Sequence, residues 1–364
     1  MKRELFIGLM SGTSLDGVDA VIVEFAGQSC QVLNTCALPY PSALRSELMA
    51  LHMASDNELE RTALISNQLS YLYAEAVQQL LSAAKLQPRD ITAIGCHGQT
   101  LRHRPELGFT LQIGNPALLA ELTEITVIAD FRSRDIAAGG QGAPLVPAFH
   151  QGVFADPSIN RVIVNIGGIA NLTSLPIDGK IIGFDSGPGN MLMDSWIEKH
   201  LDKRYDEDGN WALSGILIHE LFDKLIVHPY FDELPPKSTG RDTFNLAWLE
   251  TYLDPRYLPE DVQRTLLELS AASIALATHK YCGTIEEMYL CGGGAHNHAL
   301  FQRLQQLLPD IKIQLSDELG IGINWVEATA FAWLAKQCFN QQPGNLPEVT
   351  GAKGLRILGA IYAC

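Results

Sequence analysis

The chain is poor in positive charge. Lys and Arg number 26 against 41 Asp and Glu, a formal net charge of −15. Nucleic acids and anionic membranes are held by basic patches, so neither is an expected partner. A small anionic ligand stays open, because backbone N–H groups and one or two Arg can hold it locally. Long apolar runs are missing as well. The hydrophobic stretch at residues 5–10 is too short for a signal core or a membrane span. Cysteine is scattered: Cys30, Cys36, Cys96, Cys282, Cys291, Cys338 and Cys364 are odd in number and lack C-x-x-C spacing. That argues against a disulfide framework or a zinc site and for a reducing compartment, with cytoplasm as the expectation. There is no G-x-x-x-x-G-K-[ST] loop, no H-E-x-x-H, no G-x-S-x-G and no Ser-His-Asp order. A Walker-type loop, zinc hydrolysis and acyl transfer therefore have little support.

What is present is ordinary for a globular protein. The 364 residues, 47% of them hydrophobic, exceed one core, so two domains are the prior. Apolar patterning predicts strands at 5–10, 18–25, 31–38, 91–96, 109–113 and 126–129, with helices at 42–53, 58–84 and 116–122. The pattern restarts with strands at 161–166, 169–175 and 181–184. Helices follow at 189–201, 213–225 and 259–281, then a strand at 288–291, helices at 297–307 and 325–338, and a tail strand at 355–362. A strand, a Gly turn and a second strand occur near residue 12 and again near residue 167, the trace a duplicated lobe would leave. The expected division is a lobe at 1–130, joined by the tail 355–364, and a lobe with helical insertions at 131–354. The Gly-rich segment 130–147 reads as the crossing between them.

Five groups of residues carry chemistry. Gly12, Thr13, Ser14, Leu15, Asp16, Gly17, Val18 and Asp19 form a turn whose amides suit phosphate. Asp16 and Asp19 can hold Mg²⁺, which takes few carboxylates and keeps phosphate and water ligands; a polar hairpin turn is the plainer alternative. Asn165, Gly167 and Gly168 repeat that chemistry in the second half, and two such turns can grip one polyphosphate from both sides. A simple hairpin explains them equally. Gly292, Gly293 and Gly294 join a strand to a helix; they let a base or ribose approach the backbone, or they allow a close helix–strand crossing. Asp185 ends a strand before the turn Ser186-Gly187-Pro188-Gly189 and can act as a general base, or cap the helix that follows. Asp194, on that helix, is the fallback. The fifth group is His97, Gln99, Thr100, Asp130, Arg132, Asp135 and Glu327. The first three suit sugar hydroxyls or are a polar turn, Arg132 suits a carboxylate or an ion pair, and Glu327 opens a helix.

The ordered set Gly8–Asp19, His97-Gly98-Gln99-Thr100, Asp130-Phe131-Arg132, residues 139–147, residues 165–171, residues 184–190 and Glu327-Ala328 resembles the anhydro-N-acetylmuramic acid kinase family along nearly the whole chain. Leu15 and Ser186 stand where relatives carry Met and Thr. The resemblance implies an α/β fold of two actin-like, ribonuclease H-like lobes with mixed sheets flanked by helices and an active-site cleft between them. It implies ATP and Mg²⁺ as cofactors and a sugar as partner, and it is compatible with a homodimer. It also implies a reaction in which ATP, water and 1,6-anhydro-N-acetylmuramic acid give N-acetylmuramic acid 6-phosphate and ADP. On that reading Asp185 is the base, Glu327 orients sugar or water, Arg132 meets the lactyl carboxylate, and His97, Gln99, Thr100, Asp130 and Asn190 contact the sugar. An ordinary hexose or amino-sugar kinase on the same fold is the runner-up, and a nucleotide-gated filament protein is a distant third.

Overall fold

The computed structural model describes residues 4–27 and 29–364. In chain order the first stretch holds β1 (Glu4–Met10), β2 (Gly17–Ala26), β3 (Ser29–Pro39), α1 (Ser42–Leu51), α2 (Glu58–Ala84) and β4 (Ala93–Cys96). It continues with β5 (Gln99–Arg104), β6 (Phe109–Ile113), α3 (Pro116–Thr123), β7 (Val127–Ala129), α4 (Ser133–Ala137) and α5 (Val146–Phe154). The middle stretch holds β8 (Arg161–Ile166), β9 (Ile169–Leu175), β10 (Ile182–Pro188), α6 (Met191–Leu201), α7 (Asn210–Ser214) and α8 (His219–Ile226). It ends with α9 (Leu246–Glu250), α10 (Pro259–Tyr281), β11 (Glu287–Cys291), α11 (His298–Leu307) and β12 (Lys312–Leu315). The chain closes with α12 (Val326–Phe339), α13 (Pro347–Thr350) and β13 (Ala360–Tyr362).

Two compact units result: residues up to Val153 together with Trp325–Cys364, and Phe154–Asn324. These boundaries differ from the expected break at residue 131. Segment 131–153 and helix α12 pack within the first unit, and the Gly-rich stretch 139–142 is tied there by buried Asp135. The tail joins the same unit through β13, which pairs antiparallel with β7.

The first unit has a six-stranded sheet in the order β13-β7-β4-β1-β2-β3, with β1, β4 and β7 parallel and β2 and β3 antiparallel. The second has five strands in the order β10-β9-β8-β11-β12, with β8, β11 and β12 parallel and β9 and β10 antiparallel. Taken along its own strands, each sheet follows one plan: two hairpins, then parallel strands added on the other side of the first. This is the ribonuclease H-like topology, built twice, with mixed sheets and flanking helices as expected. Central β1 buries Phe6, Ile7 and Leu9, as a strand covered on both faces must.

Helix α12 lies directly on the first sheet. Gly8 and Gly95 are register partners on β1 and β4. A Cβ on Gly8 would meet the Ala328 carbonyl at 1.9 Å, and one on Gly95 the Phe331 carbonyl at 2.0 Å. Only glycine leaves room for the helix backbone there. On the other face α2 buries Ile65, Leu69, Tyr73, Val77 and Leu80 at helical spacing, while Leu64 is 55% exposed.

The predicted helix at 213–225 is in fact α7 and α8. At Gly215 a Cβ would meet the Glu260 carbonyl at 2.1 Å, so the chain there is pressed against α10 and breaks its helix. Strands β5 and β12 had no prediction, and β10 runs beyond Phe184 to Pro188.

Gly95→Ala is expected to lower unfolding free energy by about 3 kcal/mol, because a backbone carbonyl cannot step aside as a side chain can. Urea unfolding checks it; a wild-type midpoint would show that α12 shifts freely on the sheet.

Candidate active site

In the first unit the chemistry gathers at the β1–β2 turn. The Gly12 carbonyl accepts from Leu15 N–H at 3.3 Å and from Gln99 Nε2 at 3.1 Å, while Tyr40 Oη donates to Gln99 Oε1 at 3.0 Å. Ser11 Oγ meets Tyr73 Oη at 3.0 Å, and the Ser11 carbonyl accepts from His97 Nδ1 at 3.2 Å. Leu15 takes φ 58° and is buried, which anchors the turn from inside. The tip, Thr13 and Ser14, is exposed, and no described residue takes its amides. These are free donors of the kind a phosphate needs.

His97 and Gln99 are buried behind that turn and engaged in holding it. His97 lies 4.7 Å from the Phe331 ring, between centroids. With Nδ1 donating, its Nε2 accepts from Arg132 Nη2 at 2.9 Å and Nε at 3.2 Å. Burial, then the Arg132 charge, push its pKa down to about 3, so it is neutral. Arg132 Nη1 donates to the Gly142 carbonyl at 2.8 Å. Gly142 N–H in turn donates to buried Asp135, which also accepts from Asn345 and Thr350. Arg132 has donated three of its five N–H groups, and two remain for a ligand.

Asp16 is exposed at the turn, and Asp19 is half-buried on β2. Burial, then the charge of Asp16, raise Asp19 to about 6. Glu327, in the first turn of α12, is raised by burial and by Asp19, against the pull of Arg132. Negative charge is thus in excess here, and a divalent cation would relieve it. No three His, Cys, Asp or Glu side chains among the described residues converge enough to hold a metal alone. Asp16 and Asp19 therefore fit Mg²⁺ that brings phosphate and water ligands.

Asp130 is exposed, sits at φ 59° and accepts from Ser133 Oγ at 2.5 Å. It lines a cleft of about 300 Å³ in this unit with His97, Gly98, Gln112, Asn115 and Ser133. Thr100 is half-buried nearby and accepts from Gln112 Nε2 at 3.1 Å. Gln112, Asn115, Tyr40 and Tyr73 were not singled out from sequence; Asn115-Pro116, a helix cap followed by Pro, was the readable signal.

In the second unit Asn165, Asn171 and Asp185 are register partners across β8, β9 and β10, so they share a rung and a face. Asp185 does not end its strand. It sits within β10 at a bulge: Asp185 faces Asn171 and Gly187 faces Ala170, with Ser186 as the extra residue. Ser186 Oγ donates to the Ala170 carbonyl at 3.1 Å, and the bulge re-aims the backbone beside the acid. The Asp185 carboxylate accepts the Thr239 N–H at 3.0 Å. Burial raises its pKa to about 6; the Thr239 bond and the Lys237 charge work against that rise. Thr239, Lys237 and Tyr230 fall between the helices expected at 213–225 and 259–281, where apolar patterning gave no element.

Near this rung Gly292 and Gly294 leave no room for a side chain. A Cβ on Gly292 would meet Asn165 Oδ1 at 2.2 Å, and one on Gly294 the Ile166 side chain at 2.3 Å. Gly293 has nothing within 4 Å and is the one open to a ligand. Asn190 precedes α6 and donates Nδ2 to the Ile166 carbonyl at 3.4 Å. The Gly167 and Gly168 carbonyls accept from residues 189–191, so the turn is fastened to the start of α6. Asp194 lies inside α6.

A family model described as anhydro-N-acetylmuramic acid kinase matches residues 4–364. The chain belongs to the anhydro-N-acetylmuramic acid kinase family. A relative from Nitrosomonas europaea with that name is 56% identical over 359 residues, covering 98% of this chain and 99% of its own length. One from Nitrosospira multiformis is 54% identical over 364 residues, with 100% of both chains covered. Among solved structures, the activator of the 2-hydroxyisocaproyl-CoA dehydratase from Clostridium difficile is a distant likeness: TM-score 0.47, 12% identity, 93% of this chain and 97% of that one.

The pKa of His97 makes a stability prediction. Its folded value, about 3, lies below the unfolded value of about 6.5, so the unfolded chain takes the proton first as pH falls. The contribution is complete above pH 6.5 and is lost below it. The unfolding free energy of wild type minus that of His97→Gln should shrink by about 1.4 kcal/mol per pH unit between pH 6 and 4. Carboxylate titrations cancel in that difference, and a pH-independent difference would show His97 to be charged in the folded protein.

Proposed function

We propose that this family member uses ATP to open 1,6-anhydro-N-acetylmuramic acid with water and to phosphorylate O6, releasing N-acetylmuramic acid 6-phosphate and ADP. The observation that carries the reading is Asp185: a half-buried carboxylate held by one backbone N–H, with a pKa of about 6. Such a group is mostly ionised at pH 7 and still basic enough to take a proton. In the anhydro sugar O6 is tied to the anomeric carbon and carries no proton. Water deprotonated by Asp185 attacks that carbon, the C–O6 bond breaks, and the freed oxygen takes the γ-phosphoryl group.

Around this step the roles divide as follows. The open amides of Thr13 and Ser14 take phosphate oxygens, with the turn at Gly167-Gly168 as the second unit's counterpart. Gly293 gives the nucleotide access to backbone. Asp16 and Asp19 hold Mg²⁺, which supplies charge neutralisation to the phosphates. Arg132, oriented by His97, offers its two remaining N–H groups to the lactyl carboxylate, and Glu327 orients sugar or water. A cytoplasmic location is part of this reading, supported by seven cysteines that are all free thiols.

Mass analysis of product formed in ¹⁸O-labelled water tests the reaction: label is expected at the anomeric oxygen, and unlabelled product would refute hydrolytic opening. Asp185→Asn should lower kcat by about 10³-fold while ATP still binds. Gly293→Ala, whose new methyl meets no protein atom, should raise KM for ATP several-fold at an unchanged unfolding midpoint; an unchanged KM would remove Gly293 from the nucleotide site.

A further inference from the structure

Lys237 is a buried cation that the reaction above does not employ. Its side chain is among the buried charged groups of the second unit, at 9% relative exposure. Its Nζ donates to the Tyr230 carbonyl at 2.9 Å and to the Phe231 carbonyl at 3.4 Å. It lies 4.6 Å from the centre of the Tyr230 ring and 5.5 Å from that of Tyr281. Among the described residues no carboxylate is within ion-pair distance of it. A buried ammonium without an ionic partner is costly, and a fold keeps one where its charge acts on something.

Three further bonds show on what. The Lys237 carbonyl accepts the Asp185 N–H at 3.1 Å, and two residues on Thr239 N–H holds the Asp185 carboxylate. Tyr230, whose carbonyl receives the ammonium, donates its hydroxyl to the Asp185 carbonyl at 2.7 Å. Asp185, Lys237 and Tyr230 thus close a ring of hydrogen bonds around the acid, and the Lys237 side chain is the link that ties strap to ring.

We propose that Lys237 is a positioning residue for Asp185: its caged ammonium is the fixed positive charge that keeps the acid ionised, and it anchors the strap whose amide aims the carboxylate. The inference rests on Asp185 being the base. The charge of Lys237 is the cation that opposes the upward push of burial on Asp185. Burial draws the pKa of Lys237 itself down; of the charges around it, Glu233, Asp232 and Asp185 favour its charged form and Lys280 opposes it. Tyr230, beside Asp185, is pushed far up and stays protonated, so its hydroxyl remains a donor.

The sign of the effect follows. Removing the positive charge raises the pKa of Asp185, so the acid limb of the pH profile moves upward. ADP release with the anhydro sugar, followed as kcat/KM from pH 5 to 9, should show wild type falling below about pH 6. Lys237→Met should move that limb up by about one pH unit: about tenfold slower at pH 5, converging on wild type at pH 9, with KM for ATP unchanged. Lys237→Arg, which keeps the charge, should restore the limb. Should Lys237→Met fail to fold, Lys237→Gln removes the charge while keeping a donor for the two carbonyls and carries the same expectation. A neutral variant that is slower by one factor at every pH, with its limb in place, overturns the proposal and leaves Lys237 a structural brace. Asp185→Asn measured alongside separates the two readings. Retained activity there overturns the base assignment; an inactive Asp185→Asn beside an unmoved limb overturns only the role of Lys237.

Discussion

The first unit depends on one place where backbone lies on backbone. Gly8 and Gly95 stand side by side on adjacent parallel strands, and the carbonyls of Ala328 and Phe331 occupy the space two side chains would need. This contact fixes the height and direction of α12 above the sheet. It therefore fixes Glu327, in the first turn of that helix, within the field of Asp19 on β2 and of Arg132. Phe331, on the same helix, backs the His97 ring that orients Arg132. Two missing side chains on the floor thus determine where the charged groups stand at its edge.

Behind the β1–β2 turn the polar groups are used for shape. Gln99, Tyr40, Tyr73, Ser11 and His97 are buried and bonded to one another or to the turn's carbonyls. A satisfied buried network specifies one arrangement strongly, because breaking any member leaves a desolvated polar atom. The order from Asp135 through Gly142, Arg132 and His97 to Ser11 carries that rigidity from a buried acid to an exposed tip.

Much of the fold was legible because periodicity reports burial. Strands β8 and β9 and helix α10 stand where apolar spacing put them, and the recurrence of a Gly turn in each half corresponds to two sheets of one topology. The misreadings have a common cause: local signals that tertiary contacts reuse. Gly187 and Pro188 read as a turn, but a bulge lets β10 pass through them and leaves Asp185 inside the strand. Gly139, Gly140 and Gly142 read as a crossing, yet Asp135 binds that segment into the first unit. At Gly292 and Gly294 a Cβ would strike Asn165 and Ile166, so the packing role that spacing allowed beside ligand access depends on contacts from β8 that the local sequence does not report. The chemistry of His97, Gln99 and Asp185 was visible as residue type. Their surroundings were not, since Arg132, Tyr40 and Lys237 reach them from distant parts of the chain.

On the proposed roles, Asp19 as a metal ligand and Asp185 as the base, their surroundings account for the difference. Asp19 and Asp185 are both lifted to about 6, chiefly by burial. Asp19 is lifted further by a second carboxylate, Asp16, whereas Asp185 is drawn back by an amide and an ammonium. A metal ligand can be uncomfortable before its ion arrives, because the ion itself restores the balance and draws affinity from that discomfort. A base has no such help: it must be ionised when substrate enters, in a site that grows drier as it fills. It needs a counter-charge of its own, near enough to act and bound too firmly elsewhere to form an ion pair that would quench it. Lys237, fastened to two carbonyls and two ring faces and acting on Asp185 through its charge, fits the proposed part.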